Sequence, residues 1–223
     1  MIFFSIQPDN SQKVFPQVQK MCPSYNYEAF NSIYHLGRKT SEFPDFIPNL
    51  DYFILNSKAL LTDMLSTSLI SNGFLVSENL KLLLLKHKIS THKYYNAKVC
   101  YKNKHYEYYW MHIINDMFDV VNFNKSSFFV LQNFSQNLGG IKINSFNEYV
   151  IKKEKLKKDN PTKTVTIWAE KIVLNNKFSR DLDLFKIGSF SSQFFISEKL
   201  KENLIQENIT GIKIKETNIL YFE

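Results

Sequence analysis

Along residues 194–214 the apolar positions change period twice. Phe194, Phe195 and Ile196 form an unbroken run of strand type that stops at Ser197; Leu200 and Leu204 then recur four apart before Ile209, Ile212 and Ile214. This pattern predicts a short strand, a helix whose first amides are capped by the Ser197 hydroxyl, a turn and a second strand. The same arrangement begins 120 positions earlier without a gap, as Phe74-Leu75-Val76, then Ser77, Glu78, Leu80, Lys81 and Leu84, and on to Ile89 and Ser90. Glu78 and Glu198 each fall in a first helical turn, where a carboxylate suits the positive end of the helix dipole. Thr210-Gly211 supplies an exit for the second helix, whereas the first has Ser90-Thr91, which predicts a looser end. A separation of 120 is far longer than the roughly 20 to 50 residues of solenoid repeats. The pattern therefore reads as a duplicated strand-helix-strand unit inside one α+β domain with a largely antiparallel sheet. The two helices are expected in equivalent positions against a shared or continuous sheet.

Between the units, Tyr95, Ala97, Val99 and Tyr101 alternate with polar residues, and after Asn103-Lys104 a second alternation runs over residues 105–114. This predicts an antiparallel hairpin. With the turn centred on Asn103-Lys104, Tyr101 faces Tyr106, Val99 faces Tyr108, Ala97 faces Trp110 and Tyr95 faces His112 on the buried side. Lys98, Cys100, His105, Glu107, Tyr109 and Met111 fall on the exposed side. Of these, Tyr109, Lys98 and Glu107 are the candidate partner-binding residues, with the Tyr109 ring as the exposed anchor.

The remaining stretches are less regular. Five of the six prolines lie in residues 1–50, so after a strand over residues 2–6 this part is expected to be irregular. Residues 52–55 read as a strand and residues 59–65 as a short helix, with Leu60/Met64 and Leu61/Leu65 four apart. Residues 127–131 suggest a strand, and Gly139-Gly140 a turn. The charged stretch 152–161 suggests a solvated helix end or loop. Residues 164–174 suggest a strand or hairpin with a break near Glu170-Lys171, and residues 182–187 lead into the second unit. The expected organisation is a single domain over residues 1–223, irregular over 1–50, with repeat units over about 50–131 and about 163–223.

A chain of 223 residues that is 44% hydrophobic and 15% aromatic has ample material for a core. It holds no apolar run approaching ~18 residues and no basic, apolar leader, which predicts a cytoplasmic protein without a membrane span. Cys22 and Cys100 fit no metal spacing and are expected as thiols. The net charge of +7 comes almost wholly from lysine, since only Arg38 and Arg180 are arginines. Lysine lacks the planar fork that reads bases and phosphates in pairs, so a lysine-driven attraction to nucleic acid or an anionic surface would be diffuse. Sequence patterns for a nucleophile elbow, a phosphate loop, a zinc helix or a paired-cysteine site are absent. The nearest approach to a catalytic or metal set is His112, Asp116 and Asp119, the basis of an alternative reading as an enzyme with a motif-free site. The simpler reading ends a core-facing strand at His112 and uses the aspartates for turn amides. His87 and His92 flank the first helix end and are expected to cap carbonyls. No catalytic residue, metal ligand or cofactor is assigned.

The run Phe194-Phe195-Ile196-Ser197-Glu198-x-Leu200-x3-Leu204-x4-Ile209-Thr210-Gly211-Ile212 resembles the closing signature of a family of bacterial immunity proteins from polymorphic toxin systems. Val76-Ser77-Glu78-Asn79-Leu80 is similar to that family's earlier V-S-E-x-L helix, residues 93–114 to its tyrosine-rich strand pair, and Asp119 with Ser126 to its Asp followed by Ser. The resemblance spans about residues 50–215. It implies a cytoplasmic, non-enzymatic protein that binds and neutralises a cognate toxin domain, with no cofactor. The shared motifs determine fold, so no toxin-contacting position comes with them.

Overall fold

The structure, a computed structural model, describes residues 2–9, 11, 18–19, 42–66, 72–114 and 116–223. In chain order the elements are β1 (Phe3–Pro8), β2 (Val18–Gln19), β3 (Leu50–Ile54), β4 (Met64–Leu65), β5 (Gly73–Val76), α1 (Glu78–Leu84), β6 (His92–Tyr101) and β7 (Lys104–Ile113). There follow β8 (Ser127–Gln132), β9 (Gln136–Ile141), α2 (Phe146–Asp159), β10 (Val165–Leu174), β11 (Leu184–Lys186), β12 (Phe194–Ser197), α3 (Glu198–Gln206), β13 (Ile212–Glu216) and β14 (Leu220–Phe222). The class is α+β. Contacts group the chain into two compact units: Met1–Asn115, Leu182–Phe185 and Phe194–Lys215 form the first, and Asp116–Asp181, Lys186–Gln193 and Glu216–Glu223 the second. Most of residues 1–50, Cys22 included, lies outside the described residues.

In the first unit a six-stranded sheet runs β2-β3-β6-β7-β5-β4, and a four-stranded sheet runs β11-β12-β1-β13. The strands that lead into α1 and α3 thus sit in different sheets, which corrects the expectation of a shared one. What the helices share is a core. Leu80, Leu83 and Leu84 of α1 join Leu200 and Leu204 of α3 around Phe74, Met111, Phe194 and Ile196. The rings of Phe74 and Phe194 meet 4.4 Å apart. A second cluster takes the alternate residues of the six-stranded sheet, among them Leu75, Tyr95, Ala97, Val99, Tyr108 and Trp110.

The hairpin of β6 and β7 turns on Lys102 and Asn103, both at positive φ (49° and 61°). This two-residue loop matches the right-handed twist of the flanking strands, and asparagine tolerates the left-handed backbone. The turn therefore lies one residue earlier than the alternation suggested. Tyr101 pairs with Lys104, Val99 with Tyr106, Ala97 with Tyr108 and Tyr95 with Trp110. Moving the turn by one residue shifts each partner by two, so the faces survive: Val99, Tyr108 and Trp110 are buried. Met111 is the exception to the expected exposed side, because α1 and its leucines cover that end of the hairpin. The helix expected over residues 59–65 does not form. Two amides that a helix would direct at its own carbonyls go to Thr210 instead, Asp63 N to Thr210 Oγ1 at 3.0 Å and Met64 N to Thr210 O at 3.1 Å, while Tyr101 and Tyr108 hydroxyls donate to Ala59 O and Thr62 O.

Two aspartates organise the helix ends. The Leu80 amide donates to Ser77 Oγ at 3.2 Å, and that hydroxyl donates to Asp63 Oδ1 at 2.7 Å. In α3 the Leu200 amide donates to Ser197 Oγ at 3.1 Å, and that hydroxyl donates to Asp183 Oδ1 at 2.6 Å. The second oxygen of each carboxylate holds the exit of the other helix. Asp63 Oδ2 accepts from the Thr210 amide at 2.9 Å and hydroxyl at 2.6 Å, just after α3. Asp183 Oδ2 accepts from the Lys88 amide and from His87 Nδ1, each at 3.0 Å, just after α1. The first exit, expected to be loose, is therefore fastened. Asn208, at φ 52°, supplies the left-handed residue after α3. Gly211 (φ 76°) serves the next turn, where a Cβ would collide with the Met64 carbonyl and the Thr62 side chain.

In the second unit the sheet order is β14-β10-β8-β9. β10 pairs antiparallel with β8 and carries an irregularity between Ala169 and Lys171, where a break was expected. Gly139-Gly140 does not turn the chain but lies within β9. The reversal sits instead on Asn133 and Phe134, at φ 50° and 59°. α2 begins six residues ahead of the charged stretch. Its cap is legible afterwards: the Glu148 amide donates to Ser145 Oγ at 3.1 Å, and Glu148 Oε2 accepts from the Asn144 amide at 2.7 Å. Only Tyr149 of α2 is buried, so the apolar period that marks most helices is missing. Tyr149 packs its ring edge against Phe190, which also meets Phe123 and Phe128.

Candidate binding surface

The outward residues of the β6–β7 hairpin form a polar surface at the turn end. Pairing sets Lys98 opposite Glu107 and Asn96 opposite Tyr109, so the three candidate residues lie on one face of neighbouring strands. Lys98 and Tyr109 are already engaged. Lys98 Nζ reaches Asp51 Oδ2 of β3 at 3.1 Å, and that bond, with the carboxylate charge, raises the ammonium above its ordinary value. Tyr109 is half-buried, with Lys81 Nζ 3.5 Å from the centre of its ring. Its hydroxyl is bonded to the Glu78 carboxylate, which together with burial pushes the phenol up. Glu107 is exposed. Tyr109 is thus docked on α1 rather than standing free, because the helix that covers Met111 extends Glu78 and Lys81 over the neighbouring ring.

His112 is fully buried, its ring stacked on Trp110 at 4.4 Å with the Phe43 edge 5.5 Å away. Asp116 and Asp119 are exposed, and the Asp119 carbonyl accepts from Asn175 Nδ2 at 2.9 Å. Among the described residues no group of three His, Cys, Asp or Glu could hold a metal ion. Glu78 and Glu198 each open a helix, the first-turn role expected of them. His92 Nδ1 bonds the Ser90 carbonyl at 2.9 Å. His87 is buried between Asp183 on Nδ1 and Asn203 Nδ2, 3.1 Å from its Nε2. The asparagine amide donates there, so Nδ1 carries the proton offered to Asp183. Cys100 is a free thiol. Lys186 is buried, which pushes its ammonium down to about 8.

A cleft of about 390 Å³ opens at the start of α2, lined by Phe118, Asp119, Asn122, Phe123, Asn144 and Phe146. Its walls offer amides and phenyl rings, and Asp119 is the sole carboxylate among its lining residues. The sequence reading missed Asp63 and Asp183. The signal was present, since an aspartate stands 14 residues before each capping serine, at Asp63 before Ser77 and at Asp183 before Ser197.

In a comparison with protein families, the model of the immunity protein family Imm11 matches residues 3–218. Comparison with the curated proteins finds no match.

Proposed function

The chain belongs to the Imm11 immunity protein family, and from that premise we propose that it binds a cognate bacterial toxin domain and neutralises it without catalysis, in the cytoplasm. The match over residues 3–218 carries the reading. It is supported by the burial of His112, which withdraws the imidazole of the rival catalytic set from any substrate. Among the described residues no helix is long and apolar enough to cross a membrane. The net charge of +7 favours approach by an acidic partner.

Within this reading, Lys98, Glu107 and Tyr109 form a polar contact. Lys98→Ala is expected to slow association, and Tyr109→Ala to speed dissociation. The direct test is titration calorimetry of the chain against the C-terminal toxin domain encoded by the neighbouring gene, with co-expression of the two in growing cells. A one-to-one complex and rescued growth are expected. Absence of heat at micromolar concentrations and absence of rescue would refute the reading.

A further inference from the structure

The β8–β9 hairpin reverses at Asn133-Phe134, and Phe134 combines two features that are seldom found together. Its backbone is left-handed at φ 59°, a conformation in which a side chain as bulky as phenylalanine is an outlier. The residue is also 71% exposed, so little burial offsets that strain. The tip is nonetheless held firmly. The Asn133 amide donates to Thr164 O at 2.7 Å, the Thr164 amide donates back to Asn133 Oδ1 at 3.3 Å, and the Ser135 amide closes onto Gln132 O at 3.2 Å. Gln132 Nε2 bridges the strands to Gln136 Oε1 at 2.8 Å. A phenyl ring is therefore presented to solvent on a braced support.

The sequence flanking the tip carries more lysine than carboxylate. No aspartate or glutamate occurs between Asp119 and Glu148. Thr164, bonded to the tip, closes the segment 157–164, which holds Lys157, Lys158 and Lys163 against the one carboxylate of Asp159. From the tip runs β9, the outer strand of its sheet, exposed over residues 136–140 and free of charge. One of its amides, that of Gly139, is taken by Asn137 Oδ1 at 2.8 Å, which leaves the edge poorly suited to continuous strand pairing. Aromatic, exposed and bonded to the residue that follows Lys163, the tip is complementary to an apolar pocket bordered by carboxylates.

We infer that Phe134 is an anchor of the complex with the toxin domain, inserted into an apolar pocket with an acidic rim on that partner. The inference rests on the toxin-binding reading and adds where the partner is held. A strained, solvent-facing aromatic on a rigid turn has the character of a binding hot spot, since its ordering is complete before the encounter.

The test compares wild type, Phe134→Gly, Phe134→Trp and Lys163→Glu, titrated against the toxin domain encoded beside this chain's gene, with thermal midpoints of each free protein. Phe134→Gly is expected to unfold at the same temperature as wild type or higher, because glycine relieves the left-handed strain, yet to bind at least about tenfold more weakly. Phe134→Trp should retain most of the affinity. Lys163→Glu should slow association at low salt, with the difference fading as salt is added. Binding by Phe134→Gly within about twofold of wild type would overturn the anchor while leaving toxin binding intact. A lowered thermal midpoint in Phe134→Gly would also overturn it, because the ring would then be serving the fold. So would a homodimer that Phe134→Gly dissociates, since the occupant would be a second copy. Failure of wild type to bind would remove both the anchor and the reading beneath it.

Discussion

Asp183 accepts from the Ser197 hydroxyl, the Lys88 amide and His87 Nδ1, so a single carboxylate fastens the start of α3 to the end of α1. Removing it strands three donors, and Asp183→Ala is expected to destabilise the chain by about 3 kcal/mol at neutral pH, measured by urea unfolding. Ser197→Ala removes the cap and one of the three donors to Asp183, and is expected to cost about 1 to 2 kcal/mol. Burial pushes the Asp183 carboxyl up, but the bonds from Ser197, Lys88 and His87 outweigh it and hold the group below the usual carboxylate range. The same balance holds Asp63 down, with the Thr210 and Ser77 hydroxyls opposing burial. A depressed folded value means that the unfolded chain takes up these protons first. The contribution is then complete above an ordinary carboxylate pKa of about 4 and is lost as pH falls through the lower folded values. The gap in urea midpoint between wild type and Asp183→Ala should accordingly narrow below about pH 4. Gly211→Ala meets both a left-handed backbone and the Met64 carbonyl, and a loss of about 2 kcal/mol or more is expected in the same assay.

At the scale of elements, the hairpin turn makes a sharp test. Lys102 occupies a left-handed position that asparagine or glycine fills with less strain, so the double variant Lys102→Asn with Asn103→Gly should stabilise the chain by about 0.5 to 1 kcal/mol. A turn centred one residue later would gain nothing from it. The alternation along β6 and β7 revealed both strands and their faces, because period two survives an error of one residue in the turn. It did not reveal the pairing, which depends on loop twist. The capped helices α1 and α3 were legible because apolar strand, serine and leucine spacing coincide in a few residues. α2 was not, since a helix that buries Tyr149 alone leaves no stripe to read. The helix expected over residues 59–65 failed for the opposite reason: the local spacing was present, but Thr210, distant in sequence, claimed its amides. Of the candidate surface, Lys98, Glu107 and Tyr109 were rightly set on one face, while the covering of Tyr109 by α1 is a tertiary fact. Phe134 was invisible because Gly139-Gly140 looked like the turn.

For the whole molecule, if the proposed toxin binding holds, the lysine-dominated charge predicts association that slows with added salt while release changes little, which stopped-flow mixing at several ionic strengths would measure. The order of strands has a different consequence, in time rather than in space. β1 lies between β12 and β13, so a strand from the first ten residues of this sequence finds its partners only about 190 residues later. At about 5 to 20 residues per second of synthesis, Phe3, Phe4 and Ile6 wait roughly 10 to 40 s, bare of the strands that cover them. Residues 116–181 emerge whole in that interval and can close their own sheet strands first. The growing chain therefore carries an unfinished apolar edge while the residues between β1 and β12 are made, and a holdase chaperone has that interval in which to cover β1.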